Sequence, residues 1–359
     1  MSRIGGLGRR LYNGEVSIDF VGRKRLWYII SGVIVLICVL ALGFRGLNLG
    51  IEFRGGASFT IPQATCSIEE ARAVGEAESG SQVIVTQSAS GSINVQTAPV
   101  SADQSSVIAG SLAKACGVAK EDIKAQVVGP SWGAEISKKA LQGLLVFLLL
   151  VTIFLSIYFE WRMAVAALVA LAHDLVITIG IYAVTGLEVT PATVIGLLTI
   201  LGYSLYDTVV VFDKVKENTR GITGQSILTY NDAANLAVNQ TLVRSINTSI
   251  VALLPVLAII IVGAGFLGAG TLLDLAVALA VGMAAGAYSS IFIATPFLAQ
   301  LKSRQPEMKA LTGRVLARRK QGGASEASGT AASGILTDTR VASGPRQQPR
   351  RQPRSRRSR

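Results

Sequence analysis

Apolar residues fill six windows of about 20 positions, the length needed to cross a hydrocarbon core of roughly 30 Å. They cover residues 26–44, 140–158, 163–184, 192–212, 245–262 and 272–294. The pattern predicts six membrane-spanning helices. Between the first two windows the periodicity changes. "GIEFRGGASFTI" and "SQVIVTQSASGSINVQTAPV" alternate and break at Gly and Ser, like a strand and a hairpin, while "SIEEARAVGEAES" and "SADQSSVIAGSLAKACG" have helical spacing. A last strand, "DIKAQVVGP", completes β-α-β-β-α-β, the split βαβ order of a small ferredoxin-like domain.

Composition agrees with a membrane protein: half of the 359 residues are hydrophobic, and mean hydropathy is positive. The predicted architecture is a polytopic α-helical membrane protein. It has an N-terminal segment (1–25), a first span (26–46), an extracytoplasmic α+β domain (47–137), a five-helix bundle (138–301) and a disordered basic tail (302–359). Arg3, Arg9, Arg10, Arg23, Lys24 and Arg25 precede the first window. With so long a lead and no small-residue cleavage site after it, that window reads as an anchor rather than a removable signal.

Charge sets the orientation. Lys and Arg fall at the amino terminus, at Arg162, at Lys214, Lys216 and Arg220, and in the tail, whereas the segments near Glu188 and Phe266 carry none. The positive-inside rule then places both termini in the cytoplasm. The tail holds all of the excess behind the net charge of +12. Rich in Gly, Ser, Pro and Arg, it reads either as a solvated segment near anionic lipid or as a docking arm for ribosomal RNA or an acidic partner.

Candidate chemistry lies inside the spans, because a charge near the bilayer centre costs about 2.5–3.5 kcal/mol on insertion scales. His173, the one histidine, and Asp174 fall in the third span, and Asp207 falls in the fourth, one turn after Tyr203 and Ser204. In the fifth, Gln240, Arg244, Asn247 and Thr248 form one polar stripe that must face protein or water, which makes Arg244 a candidate partner for Asp207. Asp213, Lys214, Lys216, Glu217 and Arg220 read as a solvated helix end. The outer domain holds no histidine, no carboxylates at metal-ligand spacing and no phosphate loop, which points to binding or coupling rather than metal or nucleotide chemistry. An ion-driven transporter or an intramembrane hydrolase fits this much.

Seven motifs go further: "IDFVGRKRLWYIISG", "GIEFRGG", "VVGPSWGAEI", "FEWRMAVAALVALAHDL", "GYSLYDTVVVFDKVKENTR", "NQTLVRSINTS" and "AGAYSSIFIATPFL". Together, and in this order, they closely resemble the SecF family of protein-export membrane proteins, in the resistance-nodulation-division superfamily. The resemblance implies a non-enzymatic, cofactor-free accessory of the Sec translocase. It would pair with SecD, work beside the SecYEG channel, SecA and YajC, and use the proton motive force to draw an unfolded preprotein outward. It also implies that Asp207 of "GYSLxDT" and Arg244 of "TLxR" belong to the ion-coupling machinery, with Asp207 charged while it faces Arg244. His173, Asp174, Tyr206, Gln240, Asn247 and Thr248 stand as supporting polar residues. Tyr206 replaces the Asn common in relatives.

Two rival readings remain. An intramembrane aspartyl protease would need a second acid and a "GxGD" sequence, and no "GxGD" occurs. A proton-driven exporter of lipid or small molecules usually carries two six-span halves in one chain. Cysteine arithmetic adds one expectation: Cys38 falls in the first span, while Cys66 and Cys116 fall in the outer domain, where disulfides persist. In a split βαβ unit the start of the first helix and the end of the second lie at the same end. The pair is therefore either bridged or two free thiols, since bridging needs Cα atoms within about 7 Å.

Overall fold

The computed structural model describes residues 17–87, 91–262 and 270–326. Helix α1 (Lys24–Arg45) leads into strand β1 (Asn48–Leu49), a single helical turn α2 (Ile51–Arg54) and strand β2 (Gly56–Ile61). Helix α3 (Ile68–Ser79), strands β3 (Ile84–Gln87) and β4 (Ile93–Thr97), helix α4 (Ala102–Cys116) and strand β5 (Lys124–Val128) follow. Then come α5 (Pro130–Tyr158), α6 (Trp161–Thr185), β6 (Glu188–Val189), α7 (Pro191–Asn218), α8 (Tyr230–Val262) and α9 (Gly270–Ser289). Helix α9 passes through a π turn at Ser290–Ala294 into α10 (Thr295–Ser303), and α11 (Pro306–Glu326) closes the described chain. Part of the predicted hairpin, residues 88–90, lies outside the described residues.

Strands β2 to β5 form one sheet in the order β3-β4-β2-β5. Every neighbouring pair is antiparallel. Alternation on β2 and β4 turns Phe59, Ile61, Ile93 and Val95 toward α3 and α4, where Ala71, Ile108 and Leu112 meet them, all fully buried. Ser67 and Ser101 start the two helices with capping boxes, each closing on a residue three positions later, Glu70 and Gln104. Cys66 and Cys116 are bridged, with Cα atoms 4.4 Å apart, where the start of α3 meets the end of α4.

The opening of "GIEFRGGASFTI" departs from the expected strand. Residues 51–54 coil into α2, and pairing in the four-stranded sheet begins at Gly56, the second of two glycines. Gly55 has φ of 75° and Gly56 of 143°, values that disfavour a side chain, and a Cβ on Gly56 would lie 2.4 Å from the Thr97 carbonyl oxygen.

Six helices are long and apolar enough to cross a membrane. They divide into a buried inner set and a lipid-facing outer set. In α6, α7 and the α9–α10 span 44–56% of the apolar window is buried, against 11% in α1, α5 and α8. The inner helices meet through small residues. A Cβ on Gly282 would overlap Ile200, and one on Gly286 would lie 2.8 Å from Cβ of Ser204, so α7 and α9 approach almost backbone to backbone. The α6–α7 connection is tied to the base of the α+β domain by the parallel pair β1–β6.

The first and last described segments dock onto α8 and its surroundings. Asn235 accepts the backbone N–H of Phe20 at 2.8 Å, and Asn239 accepts that of Ile18 at 2.8 Å while donating to the Ile18 carbonyl. Phe20 and Val21 are buried there, which explains the "IDFVG" motif as an anchor. The tail expected to be disordered from residue 302 is instead helical through Glu326. Met308, Leu311 and Val315 sit at i, i+3 and i+7 and are buried against the bundle. Arg314 donates to the Thr223 carbonyl at 2.6 Å, and Arg319 pairs with Asp232 at 2.6 Å. Three apolar positions on one face outweigh a basic composition. Residues 327–359 lie outside the described residues.

Candidate functional site

Two carboxylates lie buried among the inner helices. Asp207 projects from the middle of α7, 6% exposed. Its Oδ1 accepts from Ser245 Oγ of α8 at 2.6 Å, and its Oδ2 accepts from Ser290 Oγ. Asp174 of α6 is 1% exposed. Its Oδ2 accepts from Ser204 Oγ of α7 at 2.5 Å and Ser289 Oγ of α9 at 2.8 Å, and its Oδ1 lies 3.1 Å from His173 Nδ1. Hydroxyl donors of this kind offset part of the cost of a buried charge.

The π turn makes this arrangement reachable. Pro296 has no N–H to give the Phe292 carbonyl and would crowd it, so the helix loosens by one residue. The Thr295 hydroxyl then donates to the Ser290 carbonyl at 3.3 Å. Adjacent residues on a helix point about 100° apart. Ser289 and Ser290, at the junction, therefore serve carboxylates on two different helices. Both hydroxyls also have a second acceptor, the Gly286 carbonyl at 3.3 Å for Ser289 and the Ala287 carbonyl at 3.2 Å for Ser290.

The same divergence separates Asp207 from its expected partner. Among the described residues Asp207 and Arg244 share no hydrogen bond or ion pair. Ser245 takes the place facing Asp207, while Arg244 Nη2 donates to the Tyr206 hydroxyl at 3.3 Å on the exposed side of the seam. Each helix thus contributes two consecutive residues to two contacts, one inside and one outside. Outside the seam, Arg244, Gln240, Asn247 and Thr248 line a groove of about 870 Å³ with Asp213, Lys214 and Glu217. The "solvated helix end" and the polar stripe therefore share one surface. Asn218 donates to Gln240 at 2.9 Å, and Thr248 donates to the Arg244 carbonyl at 2.8 Å.

His173 faces away from this groove. Its Nε2 lies 3.1 Å from Ser31 Oγ of α1, which donates to the Tyr288 hydroxyl at 3.2 Å. Sequence reasoning passes over Ser31, Ser245, Tyr288, Ser289 and Ser290, because a serine in an apolar helix can satisfy itself on a carbonyl one turn back. "AYSS" carried the signal, two hydroxyls side by side in a buried run.

No hydrogen bond joins the two carboxyls, so they do not form the proton-sharing pair of an aspartyl protease. Among the described residues no group of three or more His, Cys, Asp or Glu is placed to hold a metal ion.

A six-span helical bundle with a polar seam at its centre and an α+β domain inserted after the first helix defines a polytopic helical membrane protein. The family model described as "Protein export membrane protein SecD/SecF, C-terminal" matches residues 108–304, and the "SecD/SecF GG Motif" model matches residues 40–62, which include Gly55 and Gly56. The chain belongs to the SecD/SecF family of protein-export membrane proteins. It is 55% identical over 325 residues to the protein translocase subunit SecF of Streptomyces coelicolor, covering 90% of this chain and 87% of that one. It is 43% identical to that of Mycobacterium tuberculosis, covering 87% and 73%. The crystal structure of SecDF from Thermus thermophilus superposes with a TM-score of 0.70 at 30% identity, over 80% of this chain and 39% of that longer one. These relatives are protein translocase subunits.

Proposed function

We propose that this protein is an accessory subunit of the Sec translocase that converts the proton motive force into late preprotein movement across the plasma membrane. The ferredoxin-like domain stands outside the cytoplasm and both termini lie inside, as the basic loops favour. Its partner is a SecD subunit: the Thermus thermophilus relative carries the name SecDF, and this chain matches 40% of it. The SecYEG channel, SecA, YajC and the emerging preprotein complete the assembly.

One observation carries this reading. Asp207 is a buried carboxylate set between two hydroxyl donors at mid-span, one side chain away from a groove that presents Arg244. Proton uptake needs little rearrangement. When the carboxyl gains a proton, Ser290 turns its own hydrogen to the Ala287 carbonyl and accepts from the acid instead. Arg244, held by Tyr206, places a fixed positive charge beside the seam, which repels a second cation while Asp207 is neutral. Each charge carried across the membrane supplies about 2.3 kcal/mol per 100 mV, which the bundle passes to the outer domain through β1–β6.

Asp207→Asn tests this. In inverted vesicles, stimulation of export by a proton gradient should be lost, while insertion and partner binding persist. Full gradient-dependent export by the variant would refute the assignment. Removing residues 60–125 should leave an inserted protein that does not support export.

A further inference from the structure

We infer that His173 and Asp174 hold one exchangeable proton between them and act as a second proton-accepting unit in series with Asp207. This inference rests on the proton-coupling reading above and concerns residues that reading leaves without a role.

The directions of the hydrogen bonds require the proton. Ser31 has a single hydroxyl hydrogen and gives it to Tyr288. Its contact with His173 Nε2 at 3.1 Å is therefore a bond that the ring donates, so Nε2 carries a hydrogen. His173 Nδ1 and Asp174 Oδ1 then face each other at 3.1 Å, and a bond between them needs one further proton. On the nitrogen, it makes an imidazolium beside a carboxylate; on the oxygen, a neutral ring beside a carboxylic acid. The total charge of the pair is the same in both forms, so the proton can shift without exposing a new charge to the hydrocarbon. Losing that proton altogether leaves one uncompensated negative charge in a place 1% exposed to solvent, which is the costly step and the one a gradient can drive.

The link to Asp207 is built from serines. Ser204 serves Asp174 from α7 and lies one turn before Asp207 on the same helix. Ser289 serves Asp174, and its neighbour Ser290 serves Asp207. Both can turn back to helix carbonyls, so the hydroxyls that hold either carboxylate can be released without moving the backbone. A shift of α7 against α9 alters both sites together. The titratable groups that bear on Asp174 are His173 on its own helix, Tyr288 of α9 through Ser31, and Asp207 of α7. Helix α1 contributes the Ser31 hydroxyl, and α8 reaches Asp207 through Ser245 rather than Asp174.

The test uses the full chain with its partner subunit in native-lipid nanodiscs and in inverted vesicles. Infrared difference spectra on acidification should show two carboxylic acid carbonyl bands, one lost in Asp174→Asn and the other in Asp207→Asn. Gradient-stimulated export should fall about a hundredfold in Asp174→Asn, the low end of what positioned proton transfer contributes. His173→Gln, which keeps a polar side chain but cannot take up the proton, should shift the pH profile of that stimulation at unchanged protein level. An Asp174→Asn spectrum that retains both bands, or a His173→Gln profile that overlays the parent, overturns the inference. Full stimulation in Asp207→Asn would instead remove the reading on which it rests.

Discussion

The α+β domain and the seam between α6, α7 and α9 are held together by opposite means. In the domain, Phe59, Ile61, Ile93, Ile108 and Leu112 are fully buried, and its polar groups work at caps and edges. In the seam the buried residues include Asp174, Asp207, Ser204, Ser245, Ser289 and Ser290, and the helices meet through Gly282 and Gly286. The solvent explains the difference. Water drives large apolar side chains together, at about 25 cal/mol per Å² removed from contact. Lipid tails are as apolar as leucine, so burying leucine between spans gains little, and close backbone packing with polar contacts takes over. An interior held by hydroxyls and carboxylates can change its proton content; one held by Phe and Ile cannot.

Truncation should separate the two regimes most strongly. Ile108→Ala is expected to cost the domain about 2–5 kcal/mol, seen as a lower melting midpoint for domain-specific probes. Ile250→Ala, on the 52% exposed lipid face of α8, should leave stability within about 0.5 kcal/mol. Equal losses at the two positions would break the contrast.

Next comes the bridge between Cys66 and Cys116, which closes a loop of 50 residues and in the chain-entropy model contributes about 4 kcal/mol. Replacing both cysteines with serine should lower the unfolding midpoint of the domain and leave the spans inserted. Mass spectrometry that found Cys66 only as a free thiol in protein prepared under oxidising conditions would sink this prediction.

A smaller effect is expected in the seam. Gly286→Val places branches against Ser204, and overpacking of this kind costs about 1–3 kcal/mol. Gradient-stimulated export should fall more than thermal stability does, because Ser204 is pushed away from Asp174. A stability loss with coupling intact would show the close approach to be structural only.

The smallest effect belongs to the junction of the two regions. Burial pushes the Glu188 carboxyl from 4.5 up to about 7; a hydrogen bond from Gln96 of the domain opposes the shift, and the charges of Glu52 and Asp274 add to it. The folded state therefore keeps this proton after the unfolded chain has released it, so the contribution is greatest below pH 4.5, declines as pH rises to about 7 and is flat above. Glu188→Gln should flatten that dependence in hydrogen-exchange measurements on residues 47–54. An unchanged slope would show that Glu188 does not titrate in this window.

Much of this organisation could be read along the chain, where local rules suffice. Span lengths follow from bilayer thickness, the β-α-β-β-α-β order from switches between periods of 2 and 3.6, and the helix starts from Ser67 and Ser101. The α11 helix was hidden by its charge, since Met308, Leu311 and Val315 are three positions in a run of Arg, Lys and Gly. The single turn at Ile51–Arg54 was hidden by its brevity, because four residues show no period.

By itself the sequence determined that six helices cross a membrane, that a small α+β unit is inserted after the first, and that Asp174 and Asp207 lie among apolar neighbours at mid-span. Each of these depends on spacing along one segment. The tertiary structure alone decided what those acids touch. Ser245 rather than Arg244 meets Asp207, and Ser289 and Ser290 divide between two carboxylates. The reason is angular. Neighbouring helix residues point about 100° apart, so the rotation of each helix, set by glycine contacts and by the π turn before Pro296, selects which of two adjacent side chains faces the seam.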